Sequence, residues 1–174
     1  MSMMLVLIGV TARASAACPV SEGDRFPEGA LVVVLPGRQT VGLMQADLAR
    51  LPPSQLTQKR TVSSGSTSTT EQSVVYGGAL LRDVLRTAGL EDPANRQSRF
   101  SVVQAVATDG YRAVFSWGEL FNSPAGDQVL LILSQDGRAL DSAEGPLALR
   151  ALGDVRPGPR HVRNLCGLEI ANLP

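Results

Sequence analysis

The chain has 174 residues, of which 44% are hydrophobic, so it can fill one hydrophobic core and leaves little room for a second domain. Its sixteen Lys and Arg residues balance its sixteen Asp and Glu residues. A molecule of zero net charge does not attract nucleic acid or anionic lipid through its overall field, so we expect no nucleic-acid partner.

Residues 1–17 have the pattern of a signal peptide. An apolar run over residues 3–10 is too short to span a bilayer, and Ala14-Ser15-Ala16 supplies a small-residue cleavage site. We therefore expect residues 18–174 to form a single exported domain, periplasmic or secreted. Lipid anchoring at Cys18 is the less favoured alternative, because Ser15 stands where a lipoprotein signal usually has Leu.

The chain contains two cysteines, Cys18 and Cys166. In an oxidising compartment these two residues can form one internal disulfide. The bond would close a loop of nearly the whole domain and stabilise it by roughly 4 kcal/mol. The alternative, a buried free Cys166 and a mobile Cys18, stays open at this stage.

The first half of the chain predicts strands and two short helices. The apolar residues 31–35 predict a buried strand that ends at Pro36-Gly37. Helical spacing of apolar residues predicts one or two helical turns over residues 43–51. The Ser- and Thr-rich residues 57–71 predict a hairpin tip or a mobile loop. Residues 79–88 predict the clearest helix, which ends at Gly89.

The second half predicts further strands. Residues 100–107 and 111–115 predict a β-hairpin around the turn Thr108-Asp109-Gly110. Ser116 and Glu119 have the spacing of a capping box and predict a short helix. Three more strands are predicted over residues 129–133, 147–152 and 161–170. The sum of these elements is an α+β domain with a mixed, mainly antiparallel β-sheet core and a few short helices.

The sequence lacks the usual catalytic signatures. His161 is the only histidine, and no nucleophile elbow accompanies it. One histidine and two distant cysteines cannot close a tetrahedral metal site. A lone histidine near the start of a strand is more often a structural residue than a catalytic one. Acid/base catalysis by convergent carboxylates stays open for Asp109, Glu119, Asp141 and Glu144.

Arginine and aromatic residues in the second half are the candidates for ligand binding. Four arginines lie close together in the sequence around a Gly- and Pro-rich loop, namely Arg150, Arg156, Arg160 and Arg163. Such a cluster can bind a phosphate or another anion, or it can form a salt-paired surface. Tyr111 and Trp117 can stack on a flat ring or pack in the core.

Four segments of the chain, read in order, carry a resemblance to a known family. They are Tyr76-Gly-Gly-Ala-Leu-Leu-Arg-Asp-Val-Leu-Arg-Thr-Ala-Gly-Leu90, Ala107-Thr-Asp-Gly-Tyr-Arg-Ala-Val-Phe115, residues 130–140, and Glu144-Gly-Pro-Leu-Ala-Leu-Arg150. Their order and spacing resemble the small oxidoreductase molybdopterin-binding domain of the sulfite oxidase type. With residues 40–52 included, the resemblance covers most of residues 30–172. It implies a compact α+β domain that binds the pterin part of a molybdenum cofactor.

The sequence departs from this family at the residues that would hold the metal. Family enzymes bind molybdenum through a Cys thiolate, and this chain has no cysteine in its middle. Glu144 stands where enzyme members commonly have His, and Ala148 stands where an Arg is common. We therefore expect a pterin or molybdopterin ligand without molybdenum, and we expect no redox catalysis.

The resemblance implies ligand contacts by Asp109, Tyr111, Ser116, Trp117 and Arg150, and the arginine cluster adds Arg156, Arg160 and Arg163. The predicted function is an exported pterin- or molybdopterin-binding protein that is not catalytic. It would report ligand occupancy to a membrane-bound signalling or redox partner. The alternatives are a catalytic molybdopterin-dependent oxidoreductase or its subunit, and a structural domain that binds no ligand.

Overall fold

The computed structural model describes residues 18, 26–64, 68–90, 96–156 and 158–173. The predicted signal peptide, residues 1–17, lies outside this described part. Within the described part, no helix combines the length and the apolar character needed to cross a membrane.

The described residues form eleven strands, three α-helices and two 3-10 helices. The strands are β1 (Leu31–Val34), β2 (Thr40–Leu43), β3 (Ser54–Ser64), β4 (Ser68–Leu80), β5 (Ser101–Ala107), β6 (Arg112–Ser116), β7 (Val129–Gln135), β8 (Arg138–Ala139), β9 (Ala148–Ala151), β10 (His161–Val162) and β11 (Leu165–Asn172). The α-helices are α1 (Gln45–Leu48), α2 (Leu81–Thr87) and α3 (Trp117–Phe121), and the 3-10 helices are Arg96–Phe100 and Pro124–Gln128.

The strands form two sheets. The first has the order β2-β1-β11-β5-β6 and the second has the order β10-β9-β7-β4-β3, with β8 paired to β7. Among the described strands, β1 and β11 form the one parallel pair, and the other pairs are antiparallel. This α+β fold, with mostly antiparallel sheets and few short helices, confirms the predicted fold class.

The main core joins side chains of both sheets and α2. Alternation along β7 shows how one strand serves two clusters, because successive side chains of a strand point to opposite faces. Val129 and Leu131 belong to the main core, whereas Leu130 and Ile132 pack in a second cluster with Tyr76. The second cluster matters for the site because the Tyr76 ring also contacts a buried arginine.

Several predicted elements have different bounds in the structure. The stretch predicted as a helix over residues 43–51 contains the end of β2 and the single helical turn α1. The Ser- and Thr-rich stretch is the β3–β4 hairpin, so its hairpin interpretation is the right one. The predicted strand over residues 161–170 is divided into β10 and β11, because Asn164 between them has a left-handed backbone with φ of 47°.

Candidate functional site

A cavity of about 340 Å³ brings together three of the eight predicted ligand-binding residues. It is lined by Asp109, Tyr111, Gly158, His161 and Arg163. These residues come from the β5–β6 turn, the loop before β10, β10 itself and the β10–β11 connection. We call this hollow the candidate cavity.

The β5–β6 turn holds the aromatic wall of the candidate cavity. Asp109 Oδ1 accepts a hydrogen bond of 2.9 Å from the Tyr111 backbone N–H, and Gly110 between them has a positive φ of 86°. A glycine adopts this conformation at no steric cost, which is why the Asp-Gly pair forms the turn. The residue Tyr111 is 44% exposed, and its hydroxyl donates to the Pro159 carbonyl at 2.7 Å. The turn is thereby fixed to the Gly- and Pro-rich loop.

His161 forms hydrogen bonds through both ring nitrogens. Its Nδ1 lies 2.8 Å from Arg150 Nη2, and its Nε2 lies 2.6 Å from Glu144 Oε2. A guanidinium group can only donate, so Nδ1 must accept and the ring proton lies on Nε2, which donates to Glu144. Because neither nitrogen is free, His161 acts as a structural residue here and offers a ligand no base.

Arg150 lies behind His161, in the interior. The residue is 8% exposed, and Nη1 donates to Gln58 Oε1 at 3.1 Å and to the Tyr76 hydroxyl at 2.5 Å. Its guanidinium carbon lies 5.0 Å from the centre of the Tyr76 ring, within the range of a cation–π contact. Burial, and then the charge of Arg163, lower the pKa of Arg150 to about 10. Arg150 is therefore still a cation at neutral pH.

Arg150 borders a cleft of about 10 Å³ rather than the candidate cavity. Its Nε–H is buried and has no hydrogen-bond partner among the described residues. A cleft of this size is close to the minimum that holds one water molecule. The structure therefore gives Arg150 the role of supporting His161 from behind.

Glu144 connects His161 to the exposed residue Arg163. Its backbone N–H donates to Asp141 Oδ1 at 2.9 Å, which fixes the loop, and its Oε1 lies 3.4 Å from Arg163 Nε. The Arg163 side chain is 58% exposed. The contacts therefore lead from the buried cation Arg150 through neutral His161 and the anion Glu144 to the exposed cation Arg163. We call these four residues the polar chain. Its exposed end is the cation that faces the candidate cavity.

Ser116 and Trp117 do not line the candidate cavity. Ser116 is the N-cap of α3, where its Oγ accepts from the Glu119 backbone N–H at 3.1 Å. Trp117 is 7% exposed, and its ring stacks on Phe121 with centroids 5.4 Å apart. The sequence left open whether Tyr111 and Trp117 stack on a ligand or pack in the core; the structure places Tyr111 at the candidate cavity and packs Trp117 in the interior.

Arg160 and Arg156 also lie apart from the candidate cavity. Arg160 forms ion pairs with Asp154 and Glu119, and its guanidinium carbon lies 5.0 Å from the centre of the Phe115 ring. The hydrogen bond with Asp154 is the largest cause that raises the pKa of Arg160, and burial opposes it. Arg156 is exposed within the loop that Arg160 fastens. The salt-paired interpretation of the cluster therefore describes Arg160.

Some residues of the site did not stand out in the sequence. Gly158 lines the cavity, and Gln58 and Tyr76 support Arg150, although they lie far from it along the chain. Glu144 stood out in the sequence in two ways, as one of the four candidate carboxylates and by its position directly before Gly145-Pro146, where the resemblance shows a departure. No sequence signal indicated Gln58.

The donor atoms do not fit a thiolate-held molybdenum. Cys18 and Cys166, the only two cysteines of the chain, are joined in a disulfide with Cα atoms 5.5 Å apart. Within the described ranges, His, Cys, Asp and Glu residues form no group of three or more that could hold a metal ion. The chain therefore supplies no thiolate ligand while this disulfide is intact.

Comparison with known proteins yields no matching family model and no matching curated protein. Among solved structures, the chain is similar to the sulfane dehydrogenase SoxCD from Paracoccus pantotrophus, with a TM-score of 0.59 and 18% sequence identity. The alignment covers 81% of this chain and 37% of the SoxCD chain, so this protein spans little more than a third of the length of that chain. At this identity the similarity shows the fold, and it supports the distant sulfite oxidase-type fold that the sequence resemblance implied.

Proposed function

We propose that this protein is an exported, non-catalytic binding protein for a pterin-type ligand that carries an anionic group. One observation carries the proposal: a phenol ring, a carboxylate and a guanidinium line a single hollow of about 340 Å³. This volume lies in the range of small-molecule sites, roughly 300–1,000 Å³.

Each of the three groups has a role suited to a flat polar ring. The half-exposed Tyr111 ring stacks on the heterocycle. Asp109 uses Oδ1 in its turn, so Oδ2 accepts from the amino edge of the ring. Arg163 pairs with the anionic group, because a guanidinium matches the geometry of phosphate and carboxylate. Glu144 holds the Arg163 guanidinium at the cavity wall.

The chemistry of the site supports binding rather than turnover. Both nitrogens of His161 are used in hydrogen bonds, and both cysteines are used in the disulfide. The candidate cavity therefore contains neither a free imidazole base nor a thiolate among its described residues.

Export and a membrane-bound partner are further parts of the proposal. The signal-like residues 1–17 and a disulfide that forms in oxidising compartments support export. The partner, a signalling or redox protein, would contact the loop that follows Leu152. In this loop Val155 is 99% exposed, and Pro159 accepts the Tyr111 hydrogen bond, so a ligand on Tyr111 acts on the same loop.

A calorimetric titration of the purified protein with 6-carboxypterin tests the binding proposal. Arg163→Gln should weaken affinity by about tenfold to a hundredfold, as expected for loss of a hydrogen bond to a charged group. Tyr111→Ala should weaken it by about two- to tenfold, and Tyr111→Phe should retain most of it. Arg156→Gln is the matched control, since Arg156 is exposed outside the cavity. Equal affinities for Arg163→Gln and Arg156→Gln would refute the proposed site.

The second candidate is a catalytic molybdopterin-dependent oxidoreductase or a subunit of one. The fold similarity to a sulfane dehydrogenase favours it. Elemental analysis of protein purified from its native compartment separates the two proposals. Stoichiometric molybdenum would overturn the non-catalytic proposal, whereas a pterin identified by mass spectrometry without molybdenum would support it.

A further inference from the structure

The disulfide lies beside a second, larger cavity. This hollow of about 680 Å³ has a mostly apolar lining that includes Phe26, Val32, Leu165 and both cysteines. Cys18 is half-buried and Cys166 is buried. A reductant that enters this hollow therefore meets the sulfur atoms at its wall.

Cys166 is the extra residue of a β-bulge. In the β11–β5 ladder, Leu165 pairs with Ala107 and Gly167 pairs with Val106, so Cys166 has no partner of its own. A bulge bends its strand and redirects side chains, and bulges are common next to binding sites. The disulfide therefore fixes an irregular point of the sheet rather than a regular one.

A short backbone segment connects this bulge to the candidate cavity. Asn164, two residues before Cys166, donates its backbone N–H to the Glu144 carbonyl at 2.8 Å and accepts at its carbonyl from the Thr108 N–H at 3.0 Å. Arg163 precedes Asn164, and Asp109 follows Thr108. Asn164 thus connects the backbone beside Asp109 and the backbone of Glu144 to the segment that carries Arg163 and ends at the disulfide.

The packing around Asn164 leaves little freedom. Its backbone is left-handed, and its side chain lies against Gly145, where a Cβ would overlap it. Leu165 in turn donates its N–H to the Leu147 carbonyl at 2.9 Å. A displacement of Cys166 is therefore transmitted to residues 163–165 and to the loop that carries Glu144.

We propose that the Cys18–Cys166 disulfide is a redox-sensitive constraint on the candidate cavity, and that its reduction lowers ligand affinity. A dithiol reductant carries out the step. One of its thiolates attacks a sulfur of the disulfide and forms a mixed disulfide, and its second thiolate then displaces the protein sulfur. Cys18 and Cys166 gain two electrons and two protons and become thiols, and the dithiol becomes a disulfide.

Release of Cys18 removes the covalent tie at the bulge, so segment 163–166 exchanges between more conformations and the wall of the candidate cavity loosens. The expected loss of ligand affinity rests on the proposed function. The expected loosening of the backbone is independent of the proposed function, because it is measured without ligand. By linkage, a ligand that prefers the oxidised form also makes the disulfide harder to reduce by the same factor.

Hydrogen–deuterium exchange on oxidised protein, dithiol-reduced protein and Cys18→Ser tests the constraint. Backbone amides of residues 108–112 and 163–167 should exchange faster without the disulfide, and α2 should not change. Arg82→Gln is the matched control, because it breaks the ion pair with Asp127 and leaves the disulfide intact. A change confined to the neighbourhood of Phe26, or spread evenly over the chain, overturns the proposal.

Calorimetry with 6-carboxypterin supplies the second arm. Reduction should weaken affinity by at least about fivefold, the lower range of coupling between linked sites. Equal affinity of both forms refutes the redox constraint and leaves the proposed function standing. Absence of binding in the oxidised form refutes the proposed function, and the exchange experiment then still decides the constraint. Reoxidation of the reduced wild-type protein should restore the slow exchange. This measurement replaces the Cys18→Ser variant if that variant does not fold.

Discussion

Arg150 and Arg163 occupy the two ends of the polar chain, and their exposure differs sharply. Arg150 is surrounded by Gln58, Tyr76 and His161, so its guanidinium already has protein partners. Arg163 forms an ion pair with Glu144 at 3.4 Å, and its exposed side chain lines the cavity. The same residue type therefore supports the fold at one end and is available to a ligand at the other.

Replacement of Arg150 by Met should destabilise the protein. Arg150→Met keeps much of the side-chain length but removes the donors to Gln58, Tyr76 and His161. We expect the free energy of unfolding to fall by about 1–3 kcal/mol, the cost of leaving buried polar groups without a partner. Urea denaturation measures this loss. Arg156→Met, at an exposed position, should stay within about 0.5 kcal/mol of wild type.

Ser116 caps helix α3 and lies outside the lining of the candidate cavity. The capping-box spacing of Ser116 and Glu119 correctly predicts the start of the helix, and the Ser116 side chain is used there. The contact with a pterin that the resemblance implied for Ser116 finds no support in the cavity lining.

Loss of this cap should affect stability and leave binding unchanged. Ser116→Ala should lower the free energy of unfolding by about 1 kcal/mol, and Ser116→Asp should retain most of it, because aspartate also caps helices. Thermal denaturation together with calorimetry separates the two effects. A loss of pterin affinity at unchanged stability would instead restore Ser116 to the binding site.

The β4–β7 contact depends on a glycine. A Cβ at Gly78 would overlap the backbone carbonyl of Leu131, where the β4–β7 ladder shifts register. Gly78→Ala should therefore destabilise by about 3 kcal/mol or prevent folding, since the backbone must move. Gly118→Ala is the control, because Gly118 lies in α3 with open space around it, and alanine there should be neutral or stabilising by up to about 1 kcal/mol. Similar unfolding midpoints for both variants would contradict this reasoning.

The sequence predicted elements that depend on local signals and failed where long-range packing decides. The Asp-Gly turn, the α3 cap and the α+β class follow from neighbouring residues. The sequence does not indicate strand β2, because its last residue, Leu43, also fits the helical spacing of residues 43–51. Within the candidate site, no local pattern distinguishes Arg163 from Arg160, since Asp154 and Glu119 become partners of Arg160 only in the fold.

The disulfide spans 148 positions of the chain. A loop of this size restricts the unfolded chain strongly. The double variant Cys18→Ser/Cys166→Ser should lower the free energy of unfolding by about 5 kcal/mol, the value of the chain-entropy model for a loop of this length. Guanidinium denaturation of the variant beside the oxidised wild type measures the difference. A change below about 1 kcal/mol would mean that the unfolded chain gains little freedom from the missing bond.

The position of β11 in the first sheet has a consequence for synthesis. Strand β11 lies between β1 and β5, yet it follows every other strand of its sheet along the chain. Until Leu165–Asn172 has emerged from the ribosome, no other strand of the described sheet joins the β1–β2 hairpin to the β5–β6 hairpin. Because such distant pairings form slowly, the nascent chain exposes two incomplete half-sheets, and a chaperone that shields strand edges would assist it at this stage.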